Sequence, residues 1–543
     1  MSRVAALLFA AAAATEVHDV GTRSVGVQLF QWPFRDIARE CEFLARAGYG
    51  WVQTSPVQPH VNESYGGDIP WWIVYQPLAL DIGNRLGTEA DLDFMLTECR
   101  RHGVAVVVDV VLNHGPITGK KPTVGCFGCK SQDWDTTDYR PGSKVFRLPD
   151  FGYTAADTHA AFCTNNIGDG PNGWEDPWSL WNCRLGGLAD LDTGAQRVRT
   201  NARNFLDRLL RKGAAGFRVD AAKHMAPADL AAMLQGLCTN DGKAPFVGAE
   251  VWGGFPDPNA WAKYLEMGRV YDFDYVHIIN EAFSQPAHNL RDSLATLTRS
   301  RAPGPLAITF VENHDTERLT NTEAASSSKH PGSRAYKQAI AFNLLWAHGN
   351  PIVHSGYWFD TRDRGPPIDY ANRGSVKGPG TPNPADSNIF AQPWAGQHRW
   401  AQVFPLVSAR NWMYADPTYK GLPELKAAGT RFIHWAAPGR VFAAINAHPT
   451  DTWEANVPTQ LPPGTYCNLV HARAVAGVCQ PWPGVAATAY THEVATDGTL
   501  RVRIAPTDPS QVIVLSTQPD GQPRGTNATA STPAPTCPRI AQA

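Results

Sequence analysis

Between about residue 24 and residue 420, short apolar runs alternate with longer stretches in which apolar residues return every three or four positions. The runs are SVGVQLF (24–30), WVQTSP (51–56), VAVVVDVVL (104–112), GFRVDAA (216–222), FVGAEVW (246–252), YDFDYV (271–276), LAITFVEN (306–313) and PIVHSG (351–356). They are rich in Val, Ile and Phe, and several are continuously apolar, which predicts parallel strands buried on both faces. The intervening stretches read as helices. TEADLDFMLTECRRHG (88–103) opens on a Thr-x-x-Asp capping signal, and GAQRVRTNARNFLDRLLRKG (194–213) stops at Gly. Eight strands alternating with helices predict an α/β fold, a (β/α)8 or TIM barrel, over residues 16–112 and 189–425.

Two segments break the rhythm. Residues 113–188, after the third strand, are full of Gly, Pro, Asp, Asn, Trp and Cys. A structureless loop of that length is improbable in a compact domain, so a small inserted domain is expected. From residue 426 to 517 the pattern becomes short alternating strands with turn residues between them, which predicts an antiparallel β-sandwich. Residues 518–543 are rich in Pro, Thr, Ala and Gly and read as a disordered tail.

Composition narrows the function. A net charge of −2 gives no reason to expect nucleic acid or an acidic membrane surface as partner. Residues 1–15 carry Arg3 and then an Ala- and Leu-rich run, the pattern of a secretory signal; it is too short to span a bilayer, so a secreted chain is expected. Ten cysteines suit an oxidising route, and Asn62 and Asn527 lie in glycan-acceptor sequons. Cys126 and Cys129, in GCFGC, suit a small closed loop, with a zinc knuckle the weaker reading.

The chemistry concentrates at predicted strand ends. GFRVDAAKHM (216–225) sets Arg218, Asp220, Lys223 and His224 against an apolar strand, a costly choice unless the charges are paired or used. Asp109, Glu250 and Asp315 stand at the ends of other strands, and the barrel's C-terminal mouth is where such residues converge. Arg218 lies two residues before Asp220 and faces the same side. A close pair of carboxyl groups, one ionised and one protonated, is what cleavage of a glycosidic bond requires.

The motifs DVVLNH (109–114), GFRVDAAKH (216–224), GAEVW (248–252) and FVENHD (310–315), with LFQWPFRDIARECE (29–42), WWIVYQP (71–77) and HRW (398–400), resemble those of the α-amylases of glycoside hydrolase family 13, in particular the animal-type branch. The resemblance extends over roughly residues 20–515. It implies that Asp220 is the nucleophile, Glu250 the acid and then base, and Asp315 the carboxylate that grips sugar hydroxyls, with Arg218, His114 and His314 in support. It places Trp71, Trp72, Tyr75, Gln76, Lys223 and His224 along the substrate. It implies calcium held by Asn113 and Asp190 side chains and by the carbonyls of Trp181 and His224. It also implies the bridges Cys41–Cys99, Cys163–Cys183 and Cys467–Cys479, with Cys238 and Cys537 left over. Many animal-type members hold chloride between two arginines and an asparagine. Arg218 and Asn313 are present, but Ile352 occupies the third place, so a strong chloride site is not expected.

The expected protein is a monomeric α-1,4-glucan endohydrolase acting on starch or glycogen. A glucanotransferase using the same intermediate is the alternative, and a non-catalytic carbohydrate-binding protein on the same fold is a third.

Overall fold

The computed structural model describes residues 25–518, apart from 66–67, 121–124, 170–172, 254–257, 301, 320–332, 373, 384–389, 416–423 and 484–489. The signal-like segment 1–15, the tail beyond 518, Asn527 and Cys537 lie outside the described residues.

Eight parallel strands close into a barrel: β1 (Gly26–Leu29), β2 (Trp51–Gln53), β3 (Ala105–Val111), β4 (Gly216–Asp220), β5 (Phe246–Ala249), β6 (Arg269–Tyr271), β7 (Ala307–Thr309) and β8 (Asn350–Ser355). They pair in chain order, and β8 returns to β1. Nearly every strand residue is buried, as the unbroken apolar runs require. Helices pack outside. The helix α1 (Phe34–Ala47) lies against α2 (Glu89–Arg101), and Cys41–Cys99 bridges the two. Thr88 and Asp91 form the expected capping box on α2, and α3 (Gln196–Lys212) ends at Gly213 in the left-handed region.

One expected element differs. In YDFDYV the strand ends at Tyr271, and Phe273–Ser284 is a helix, α4. The apparent alternation misleads because Asp272 is an N-cap: its side chain accepts the Tyr275 N–H at 3.0 Å.

The described residues of 113–188 form small two-stranded pieces and short helices around a buried cluster of Trp134, Phe146, Leu148 and Tyr153, which they share with Val61, Ile73, Val74 and Leu78 from the segment before β3. Cys126–Cys129 and Cys163–Cys183 close loops within this segment. From Lys426 onward, two four-stranded antiparallel sheets pack face to face, and Phe442, Trp453, Val502 and Leu515 lie between them. Cys467–Cys479 bridges strands of this region. Cys238 is also disulfide-bonded.

Candidate active site

The site is built around one guanidinium. Gly216 opens β4 with φ +157°, and a Cβ there would come within 1.9 Å of the Phe246 carbonyl oxygen, so only glycine lets β4 approach β5 this closely. Two residues on, Arg218 sits opposite Asp109 of β3 in register. Its Nη1 donates to both Asp109 oxygens at 3.0 and 3.1 Å and to Asp220 Oδ1 at 2.6 Å, while Nη2 donates to Glu250 Oε1 at 2.6 Å. Asp220 follows Arg218 on the same face of the strand, as alternation requires. Ala221 then turns with φ +48°, unusual for a side chain with a Cβ, and aims its N–H at Glu250 Oε2 at 2.8 Å. One strand and its turn thus hold both Asp220 and Glu250.

Burial sets the charge states. Burial pushes Asp109 up to about 7 against the pull of Arg218. It also raises Asp220, Glu250 and Asp315 above the usual carboxylate range. The neighbours separate the three. Asp220 feels chiefly Arg218, which favours its ionised form. Glu250 is pushed up further by Asp220, and Asp315 by Glu250 and Asp220. Burial disfavours the charge on Arg218, but Asp109 and Glu250 keep it firmly protonated. One cation cannot balance four carboxylates, so full ionisation of all four is disfavoured, and Arg218 pulls Asp220 toward its ionised form.

Asp315 enters from the loop after β7. The Asn313 side chain accepts the Asp315 and Thr316 N–H groups at 3.0 and 2.8 Å, fixing the turn. His314 Nε2 lies 3.2 Å from Asp315 Oδ2. The His314 ring stacks on Tyr75, with centroids 5.1 Å apart, and on Phe30. Tyr75 donates its hydroxyl to Asp109 at 3.0 Å, so its ring is held as a wall of the site. His114 Nε2 is 3.0 Å from the Tyr75 carbonyl, and burial lowers its pKa to about 4, leaving it neutral. Trp71 meets His314 edge-on, and Trp72 donates to Asp363 at 3.3 Å. The Gln76 carboxamide is spent on the Ile117 N–H at 3.1 Å. Lys223 donates to the Trp252 carbonyl at 2.9 Å. His224 contacts the Leu180 carbonyl at 3.3 Å.

The residues named for calcium fall into two neighbouring pairs, Asn113 with Asp190 and Trp181 with His224. His114, next to Asn113, pairs with Asp190 across a short antiparallel ladder. Asn113 Oδ1 is buried with no hydrogen-bond partner. Asp190 Oδ2 lies 2.6 Å from His159 Nδ1, and burial raises Asp190 to about 7. The His224–Leu180 contact brings the His224 turn against the short helix that carries Trp181. Among the described residues no three His, Cys, Asp or Glu side chains gather as a metal cage.

Sequence reasoning missed several neighbours. Trp174 is half exposed, with its ring 5.8 Å from His224, a flat surface at the Lys223 side of the cleft. Its signal, one of four Trp in a Gly- and Pro-rich insertion, was not distinctive. Gln28, His354 and Glu317 lie behind His314 and are buried.

Comparisons with known proteins give the family. Residues 79–364 match the family described as Alpha amylase, catalytic domain. The chain is 32% identical over 483 residues to an alpha-amylase of Tribolium castaneum, covering 85% of this chain and 89% of that protein. It is 34% identical over 472 residues to an alpha-amylase-related protein of Drosophila sechellia, covering 85% and 88%. Among solved structures it resembles alpha-amylase I of Eisenia fetida, with a TM-score of 0.78 and 27% identity over 91% of this chain and 97% of that one. The barrel, the carboxyl cluster at its mouth and these relatives together identify the chain as a glycoside hydrolase belonging to the α-amylase family, in its animal-type branch.

Proposed function

We propose that the protein is a secreted endo-acting hydrolase of α-1,4-glucosidic bonds in starch and glycogen, working by a retaining double displacement. The observation that carries this reading is the single guanidinium shared by Asp220 and Glu250. Carboxyl groups bonded to the two ends of one guanidinium stand close together, which favours a nucleophile–acid pair over the wider pair that leaves room for a water. An α-glucan as ligand class is supported by a Glu-to-Gln mutant of Eisenia fetida alpha-amylase I solved with maltohexaose.

In the first step an Asp220 oxygen attacks C1, the bond from C1 to the glycosidic oxygen breaks, and Glu250 gives its proton to that oxygen. In the second, Glu250 takes a proton from water. The hydroxyl then attacks C1 and releases Asp220. Asp315 and His314 hold sugar hydroxyls on the far wall. Tyr75 and Trp71 stack against the sugar ring, with Trp72 beside them. Gln76 supports this wall through the backbone. Lys223, His224 and Trp174 line the leaving-group side. The test is digestion of soluble starch with and without an added acceptor sugar: free reducing ends support hydrolysis, and elongated acceptors in their place would make the chain a glucanotransferase.

The same reading assigns residues 16–112 and 189–425 to the catalytic domain, 113–188 to a calcium-associated insertion and 426–517 to a β-sandwich, in a monomer. The oxygen-rich donors favour a hard cation over zinc. Asn113 and Asp190 would bind calcium through their side chains, and Trp181 and His224 through their carbonyls. A bound cation there ties the insertion to the turn after the nucleophile strand. Exhaustive chelation therefore lowers the melting temperature by several degrees and reduces activity, and calcium restores both. An unchanged melting curve would remove calcium from the account.

Chloride has little to hold it. Arg218 is engaged by three carboxylates, and Ile352 is buried on the wall of the small cavity beside it. Activity is expected to vary less than about twofold between chloride-free buffer and tens of millimolar chloride at constant ionic strength. A large chloride-specific rise would show a second cation reaching that cavity.

A further inference from the structure

Behind His314 a chain of polar side chains runs through the apolar barrel wall. Gln28 of β1 stands opposite His354 of β8 in register. Gln28 Nε2 lies 2.9 Å from His314 Nδ1, and Gln28 Oε1 lies 2.8 Å from His354 Nδ1. His354 Nε2 is 3.1 Å from Glu317 Oε2, and Arg318 Nη2 is 3.3 Å from Glu317 Oε1. All five side chains are buried. The hydrolytic steps above use only His314.

A carboxamide has one accepting end and one donating end. Gln28 gives its acceptor to His354, so it must donate to His314. The Nδ1 of His314 then carries a lone pair. Burial, together with Arg218, His354 and Arg318, holds His314 well below its ordinary pKa, so the ring is neutral. Its single proton is left on Nε2, the nitrogen that faces Asp315. His354 has an acceptor near each nitrogen, the Gln28 oxygen at 2.8 Å in a hydrogen bond and a Glu317 oxygen at 3.1 Å in an ion-pair contact that is not a directed hydrogen bond, so an imidazolium there would donate to the one and balance the other. The other charged groups around this chain are Arg218, Glu250 and Glu312, which face it across the small cavity.

We infer that Gln28, His354 and Glu317 are positioning residues that fix the proton of His314 on Nε2, where it donates toward Asp315 and the sugar hydroxyl bound there. Turned over, the Gln28 carboxamide would accept from Nδ1, place the single ring proton there and turn Nε2 from a donor into an acceptor toward Asp315. The buried Glu317 carboxyl group 3.1 Å from His354 Nε2 works against this, because it favours a proton on that nitrogen as well as on the one facing Gln28. This inference rests on the proposed reading of Asp315 and His314 as sugar-binding groups.

The direct test is nitrogen-15 NMR of the whole protein labelled only at histidine, with signals assigned by their loss in His314→Gln and His354→Gln. The expected spectrum shows His314 protonated on Nε2 alone and His354 protonated on both nitrogens. It is recorded on the resting protein, so it judges the chain independently of whether starch is hydrolysed. Gln28→Met keeps the volume and removes both hydrogen bonds. It should lower kcat about 10- to 100-fold with KM changed less than about threefold, because a displaced donor acts on the transition state more than on binding. Gln28→Glu, which can only accept, should lower kcat at least as much. A proton on Nδ1 of His314, a neutral His354, or wild-type kcat in Gln28→Met would each overturn the inference.

Discussion

Asp220→Asn should lower kcat on starch by about four orders of magnitude or more with the protein still folded, because in the proposed double displacement the amide oxygen cannot form the covalent intermediate. The melting temperature at neutral pH should be unchanged or higher. Burial raises the pKa of Asp220 in the fold, so its charged form costs stability at any pH above the ordinary carboxylate range. An uncharged amide removes that cost. Rates on soluble starch and a thermal melt decide the matter. A variant that keeps a tenth of wild-type kcat would take the nucleophile's role away from Asp220.

Arg218→Ala should be the most damaging substitution in the barrel. It leaves Asp109, Asp220 and Glu250 without the guanidinium that each of them bonds. Removing one partner from a buried ion pair costs about 3–5 kcal/mol, a large part of the stability of an ordinary domain. Activity should vanish with it. The pH dependence distinguishes this cause from a packing defect. Asp109 already sits near 7 in the fold, and without Arg218 it and its neighbours rise further. The folded variant then binds protons that the unfolded chain has released, so its stability rises as pH falls from about 7 toward the ordinary carboxylate range. Melting temperatures measured from pH 8 to pH 5 should climb for Arg218→Ala much more steeply than for the wild-type protein. Parallel curves would mean that the lost stability is packing alone.

The parts of the fold that follow from a local pattern were readable in the chain. Continuous runs such as VAVVVDVVL become buried parallel strands, and Thr88 caps its helix through Asp91 as the spacing predicts. The expectation failed at YDFDYV, where one capping side chain, Asp272, outweighed an alternation of only six residues. The carboxyl cluster was legible because Asp109, Asp220, Glu250 and Asp315 all stand at strand ends or just beyond, where barrel topology brings distant segments together. The support behind it was not. Gln28, His354 and Glu317 are single polar residues in apolar or mixed surroundings, and Gln28 and His354 are 326 positions apart. Nothing local distinguishes them from residues satisfied by a neighbouring loop. They meet only because β8 closes onto β1.

A retaining pair of Asp220 and Glu250 acting on an α-glucan, as proposed, keeps the configuration of the bond it cuts. The most direct measurement is the anomeric form of the first reducing ends released from soluble starch, read by proton NMR before mutarotation equilibrates them. α-Anomeric maltooligosaccharides of mixed length are expected. First products in the β form would contradict the proposed retaining pair.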